Sequence, residues 1–219
     1  MHSNLIGIFL SFLFIFGLNG IATIGQRQAL LSKEGTKKLV HIGVSHWWLI
    51  AMVFFDGAVW AAVIPACFVL LNYLSYRKHL FSAMERDSGK GNLGTVYYPM
   101  SLLILALVSF GPLEPHFGAL GIFIMGYGDG LAAVVDERFG RIRFSVGKNT
   151  KTLEGTATML VVSLLISAGF FALFDRSGIL AKSLSMALIA TALEGFSPGG
   201  LDHLTVPLGV SLAYYLLLY

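Results

Sequence analysis

Long apolar runs separated by short polar breaks dominate the chain, near residues 4–25, 38–55, 57–76, 95–111, 116–136, 153–174, 178–196 and 203–219. A hydrocarbon layer about 30 Å thick needs roughly 20 mostly apolar residues per helix. In lipid, backbone polar groups must find partners within their own segment, so runs of this length predict helices. The expected fold is all-α, a polytopic integral membrane helical bundle of about eight transmembrane helices. The break at Asp56-Gly57 is tight and the run before it short, so seven spans with a bent hairpin there is the alternative. Little chain is left over, and residues 1–219 are expected to form a single transmembrane domain. The run at 5–24 lacks a preceding basic segment and reaches spanning length, so it reads as the first helix rather than a cleaved leader.

Composition supports the membrane reading: 56% of residues are hydrophobic and only 12% charged, against about a quarter charged in soluble domains. Mean hydropathy is +0.76. Charge then sets orientation. All Lys and Arg except Arg176 and Lys182 fall in three alternate connections: Arg27, Lys33, Lys37 and Lys38; Arg77, Lys78, Arg86 and Lys90; Arg138, Arg141, Arg143, Lys148 and Lys151. The positive-inside rule places these loops in the cytoplasm, and by alternation the loop at 195–203, with both termini on the opposite side. The catalytic loops are therefore expected near 26–41, 77–95, 137–155 and 195–203. Topology accounts for the basic bias, and no nucleic-acid partner is expected. Tyr214, Tyr215 and Tyr219 read as an aromatic belt, Trp47, Trp48 and Trp60 as packing surface. The single Cys67 permits no internal disulfide.

Some polar residues are not explained by topology. In "IFIMGYGDGLAAVVDERFG", residues 122–140, Asp129 and Asp136 stand seven positions apart. That is about 700° of helical rotation, so they share one face two turns apart. A carboxylate within a span is expensive and is usually functional. Gly126, Gly128 and Gly130 beside Asp129 would let backbone or ligand come close, and a carboxylate is a hard oxygen ligand suited to Mg²⁺. A buried interhelical hydrogen bond or a gating role is the alternative for Asp129, and solvated pairing with Arg138 or Arg141 the alternative for Asp136 and Glu137.

The following segment, "RFGRIRFSVGKNTKTLEGT", carries five basic side chains and two glycines before a helix that opens at Glu154-Gly155. Lysines, free backbone N–H groups and a helix N-terminus together form a phosphate cradle in outline. The Walker A pattern is missing, so no P-loop fold follows. "GTKKLVHIG" sets Lys37 and His41 on one helix face with Lys38 adjacent. "EGFSPGGLDHLTVPLG" brings Glu194, Asp202, His203 and Thr205 into a Pro/Gly-rich turn, and "ERDSGKGNLGTVYYP" adds Lys90 and Asn92.

These segments resemble the CTP-dependent polyprenol kinase family, which includes dolichol, phytol and CTP-dependent diacylglycerol kinases and is related to phosphatidate cytidylyltransferase. The resemblance runs from about Gly35 to the C-terminus. It rests on "KKLVHIG", "LGTVYYP", "GYGDGLAAVVDERFG", "KTLEGT" and "GLDHLTVPL", in that order. It implies transfer of the γ-phosphoryl of CTP, with Mg²⁺, to the hydroxyl of an isoprenoid alcohol or diacylglycerol at the membrane surface. Carried over, Asp129 holds Mg²⁺ within Gly128-Asp129-Gly130, while Lys148, Lys151 and Thr152 with Glu154 and Gly155 form the CTP loop. Asp202 becomes a metal ligand or base, Glu154 a further candidate ligand, and Lys38 and His41 match the basic-His element. Asp136 stands where relatives commonly have Gly, and His203 where they commonly have Asn. Asn149-Thr150-Lys151-Thr152 departs from the Ser-Pro-Lys-Lys-Thr run of the cytidylyltransferases and favours the kinase branch.

The lipid tail would stay in the bilayer while its hydroxyl reaches the interface, which calls for a lateral groove. Gly17, Asn19 and Gly20 are candidates to line it. Two other functions stay open on the sequence alone: a cytidylyltransferase forming a CDP-lipid, and a small proton- or ion-coupled transporter using Asp129 and Asp136.

Overall fold

The computed structural model describes residues 2–78, 93–147 and 149–218. Ten α-helices follow one another among the described residues: α1 (His2–Arg27), α2 (Lys33–Ser45), α3 (Trp47–Phe54), α4 (Ala58–Lys78), α5 (Gly94–Ser109), α6 (Pro115–Phe123), α7 (Gly130–Phe139), α8 (Leu153–Phe174), α9 (Ile179–Phe196) and α10 (Asp202–Leu218). Together they trace the eight apolar stretches of the sequence. Among the described residues, five segments are long and apolar enough to cross a membrane. The protein is a multi-pass helical membrane bundle.

Three local features differ from a simple run of helices. The stretch expected as one helix over 38–55 starts earlier and breaks at His46, whose Nδ1 lies 3.1 Å from the Ile42 carbonyl oxygen. The stretch at 116–136 continues to Phe139 and contains a π-helical turn, Ile124–Asp129, between α6 and α7. Such turns need weak local helix preference, which Gly126 and Gly128 supply, and they often mark functional sites. The basic loop after α7 folds into an antiparallel hairpin of β1 (Arg143–Val146) and β2 (Asn149–Thr152). Gly147, directly after β1, has φ +59, a backbone region that glycine tolerates best.

The α6–π–α7 rod is central. Its apolar window is 67% buried, whereas those of α1, α4, α8 and α9 are 22–28% buried. It is packed against α2, α3, α5, α8, α9 and α10. Outer helices present Phe9, Ile21, Leu70, Leu173 and Leu216 outward, an apolar exterior that suits lipid. Inside, Trp47 and Trp48 are fully buried, as their packing assignment expected, and Trp48 Nε1 donates to the Pro115 carbonyl at 2.9 Å. Tyr214 does not join an interfacial belt: it is buried against Phe117 and Phe170. Tyr219 lies outside the described residues.

Close packing uses small residues. Gly121 sits directly against the Pro207 carbonyl of α10, leaving no room for a Cβ. Gly121→Ala is expected to force the two helices apart and cost about 1–3 kcal/mol, visible as a lower unfolding temperature in detergent. At the break after α3, Asn4 and Asp56 bond reciprocally at 2.8 and 3.1 Å, tying the start of α1 to the turn into α4. Between α8 and α9, hydrogen bonds from Lys182 and Ser177 hold the Asp175 carboxyl well below the usual range, at about 2.

Candidate active site

One end of the bundle contains a cavity of about 450 Å³, built by α2, α7, the hairpin, α8, α9 and α10. Asp129 closes the π turn and is buried there. Lys38 of α2 donates to its Oδ2 at 2.9 Å, and His41 Nε2, one helical turn along, lies 3.6 Å from the same oxygen. Asp136 lies on the same face of the rod, as the seven-residue spacing predicts, and also lines the cavity. It accepts a hydrogen bond from the Thr152 hydroxyl. Thr152 is also the N-cap of α8, its Oγ1 accepting from Gly155 N at 3.0 Å.

From the opposite wall, Glu194 stands in the last turn of α9 and Asp202 opens α10. Between them, Gly199 and Gly200 adopt φ of +62 and +84, a sharp turn that favours glycine. Ser197 and Thr205 hydroxyls, 2.6 Å apart, brace that turn. Asn149 donates to the carbonyls of Gly195 and Ser197 at 3.2 and 3.0 Å, fastening the hairpin over the end of α9. Lys151 thereby reaches Glu194 and pairs with it. His203 Nδ1 is 3.0 Å from Asp202 Oδ1 and fixes the orientation of that carboxylate.

Asp129, Glu194 and Asp202 each place a carboxylate oxygen within 4.8 Å of the others. Among the described residues, four carboxylates and two lysines line the cavity, leaving two formal negative charges uncompensated with His203 neutral. Buried charge of that sign calls for a cation, and among the described residues Glu194 Oε2 has no hydrogen-bond partner. The donors are hard oxygens, which suit Mg²⁺. The α8 and α10 N-termini also open on the cavity, an arrangement favourable to an anion such as a phosphate.

Over 199 residues the chain is 36% identical to the phytol kinase of Synechocystis sp., covering 87% of this chain and 82% of that protein. The chain belongs to the polyprenol kinase family. Within that family it is also 28% identical to the chloroplastic farnesol kinase of Arabidopsis thaliana, over 89% of this chain and 68% of that protein. It is 24% identical to the chloroplastic phytol kinase 1 of the same plant, over 87% and 68%. No family model matches the chain, and no solved structure matches it.

In this polyprenol kinase family member, the cavity gathers Lys38, Asp129, Lys151, Thr152, Gly155 and Asp202 from the sequence-derived site, and His41 packs behind it. Two expectations meet a different geometry. Glu154 does not line the cavity; its Oε2 takes the Ile142 N–H at 3.3 Å, and Glu194 stands with Asp129 and Asp202 instead. Gly128 and Gly130 do not line it either. A Cβ on Gly128 would lie 2.6 Å from Met159 Sδ, and one on Gly130 would strike Ile42, so both serve helix approach. Arg141 and Arg143 are exposed and take no part in its lining. Lys148, Arg86, Lys90 and Asn92 lie outside the described residues.

Tyr98 was not singled out by sequence reasoning, although it sits in "LGTVYYP". Its buried ring packs on His41 with centroids 4.1 Å apart, and His203 closes on His41 from another side at 4.7 Å. Among the described residues neither the Tyr98 hydroxyl nor His41 Nε2 has a hydrogen-bond partner. The pairing of Glu194 with Lys151 spans 43 positions of sequence and leaves no local signal.

Proposed function

We propose that the protein is a CTP-dependent lipid-alcohol kinase that transfers the γ-phosphoryl of CTP to the hydroxyl of an isoprenoid alcohol at the membrane surface. The observation that carries this reading is the polar cavity at one end of an apolar bundle, where three clustered carboxylates, two lysines and two helix N-termini meet. The phytol and farnesol kinases among the relatives supply the acceptor class. The basic segments around the cavity support placing it at the cytoplasmic surface.

Asp129, Glu194 and Asp202 would hold Mg²⁺, which when bound neutralises charge on the triphosphate and on the leaving CDP. Lys38 and Lys151, relieved of their carboxylate partners, turn to phosphate oxygens. The α8 N-terminus at Thr152 and Gly155 receives further phosphate charge. Asp202, steadied by His203, accepts the proton of the acceptor hydroxyl as its oxygen bonds to the γ-phosphorus and the bond to the β-phosphate oxygen breaks. Phosphoryl transfer asks mainly for this kind of positioning and charge compensation. His41, wedged between Tyr98 and His203, holds the Asp129 end of the site in place.

The test incubates purified protein with Mg²⁺, phytol or farnesol, diacylglycerol and phosphatidate, using CTP labelled at the α- or γ-phosphate. Label from the γ position in a lipid monophosphate is expected. Label from the α position in the lipid would identify a cytidylyltransferase instead, and no transfer to any acceptor would overturn both enzymatic readings.

A further inference from the structure

We infer that the acceptor's isoprenoid chain lies in a second depression, of about 530 Å³, between α2, the turn at 28–32 and α7. This rests on the kinase reading for its choice of occupant, and on the following geometry for its location. The walls are apolar: Leu30 and Leu31 from the turn, Leu39 and Ile42 from α2, Val134 from α7. Leu30, Leu39 and Val134 are exposed, so the depression opens to the outside of the bundle.

Lys38 lines both this groove and the polar cavity. An apolar exterior face is covered by lipid anywhere on such a bundle, but this groove runs to the side chain that already touches Asp129 at 2.9 Å. A chain lying along Leu39 and Val134 therefore delivers its head group at Lys38, on the boundary of the polar site. The rim toward the α2 N-terminus is polar: Ser32 Oγ lies 3.5 Å from Glu137 Oε2, and Arg138 also lines it.

Local structure explains why the groove forms. Leu39 and Ile42 are three residues apart and share one face of α2. Gly130 admits the Ile42 side chain so closely that a Cβ there would collide with it, which draws α2 onto the rod at that point. The end of α1 sets the other wall. Ala29 adopts φ +56, Leu30 N donates to the Gly25 carbonyl at 3.0 Å and Ala29 N to the Gln26 carbonyl at 3.1 Å. That closure is a Schellman-type helix ending, and it turns Leu30 and Leu31 toward α2. Gly17, Asn19 and Gly20, the sequence candidates for a lipid groove, do not line it. Asn19 instead bonds the Ile15 carbonyl within α1 at 2.8 Å.

Leu39→Trp and Val134→Trp fill the groove from opposite walls. In nanodiscs, each is expected to raise KM for phytol by about tenfold while KM for CTP and turnover of a one-isoprene alcohol, too short to use the groove, stay as in wild type. Leu165→Trp, on the exposed face of α8, is the control for a tryptophan on the lipid surface. An unchanged KM for phytol, or an equal loss with both acceptors, overturns the groove. A second measurement needs no turnover: an isoprenoid alcohol carrying a diazirine on its distal half is expected to label α2 and α7 wall residues, and labelling confined to other helices overturns the assignment. A wild-type protein that labels in the groove but transfers no phosphoryl group sinks the kinase reading alone.

Discussion

Asp129→Asn is expected to lower kcat by about 10³-fold or more, because it removes a charged ligand from the centre of the proposed metal–triphosphate site. It is also expected to lower stability, for a separate reason. Lys38 is largely buried and pairs with Asp129. Removing one member of a buried pair strands the other at a cost of about 3–5 kcal/mol. The two effects separate in the double variant Lys38→Met/Asp129→Asn, in which no stranded ammonium is left. Thermal unfolding in detergent is expected to recover most of the loss in the double variant, whereas activity stays lost. Recovery of activity with stability would show that Asp129 serves only to neutralise Lys38. Full activity in Asp129→Asn alone would remove the residue from the reaction.

How much of this site could be read from the sequence depended on whether a relation was local. The i, i+7 spacing of Asp129 and Asp136 survives because α7 is regular between them. The helix start expected at Glu154-Gly155 also survives, as the first turn of α8 with Thr152 as its N-cap. The motif order identified the family, and the relatives bear that out. Relations across the bundle were not legible. In a soluble helix the apolar stripe says which face turns inward, but in lipid the outward face is as apolar as the core. α9 illustrates this: Leu188 points outward and Ala187 inward, with nothing in the apolar pattern to separate them. Without a facing direction for α9, Glu194 could not be aimed at Lys151, nor Tyr98 of α5 at His41. The break at His46 and the π turn were also hidden, since hydropathy averages over both.

The same limit separates Glu194 from Glu154. Resemblance points to Glu154, which follows directly on the CTP-loop residues, whereas the folded chain uses that side chain to hold the Ile142 N–H at the entry to the hairpin. Glu194 is buried among Asp129, Asp202 and Lys151, with one oxygen unpartnered among the described residues. Glu194→Gln is therefore expected to reduce kcat by about 10²-fold and to raise the Mg²⁺ concentration needed for half-maximal rate by about tenfold, since a neutral amide is a poorer ligand for a hard cation than a carboxylate. It also leaves Lys151 unpaired, which by itself would alter CTP binding rather than the metal requirement. Glu154→Gln, by loosening the hairpin, is expected to raise KM for CTP and leave the Mg²⁺ dependence where it was. Initial rates measured over a grid of Mg²⁺ and CTP concentrations distinguish these patterns. If the Mg²⁺ requirement moves with Glu154 and not with Glu194, the third carboxylate of the metal site is the one the sequence first indicated, and the hairpin must swing inward during turnover to bring it there.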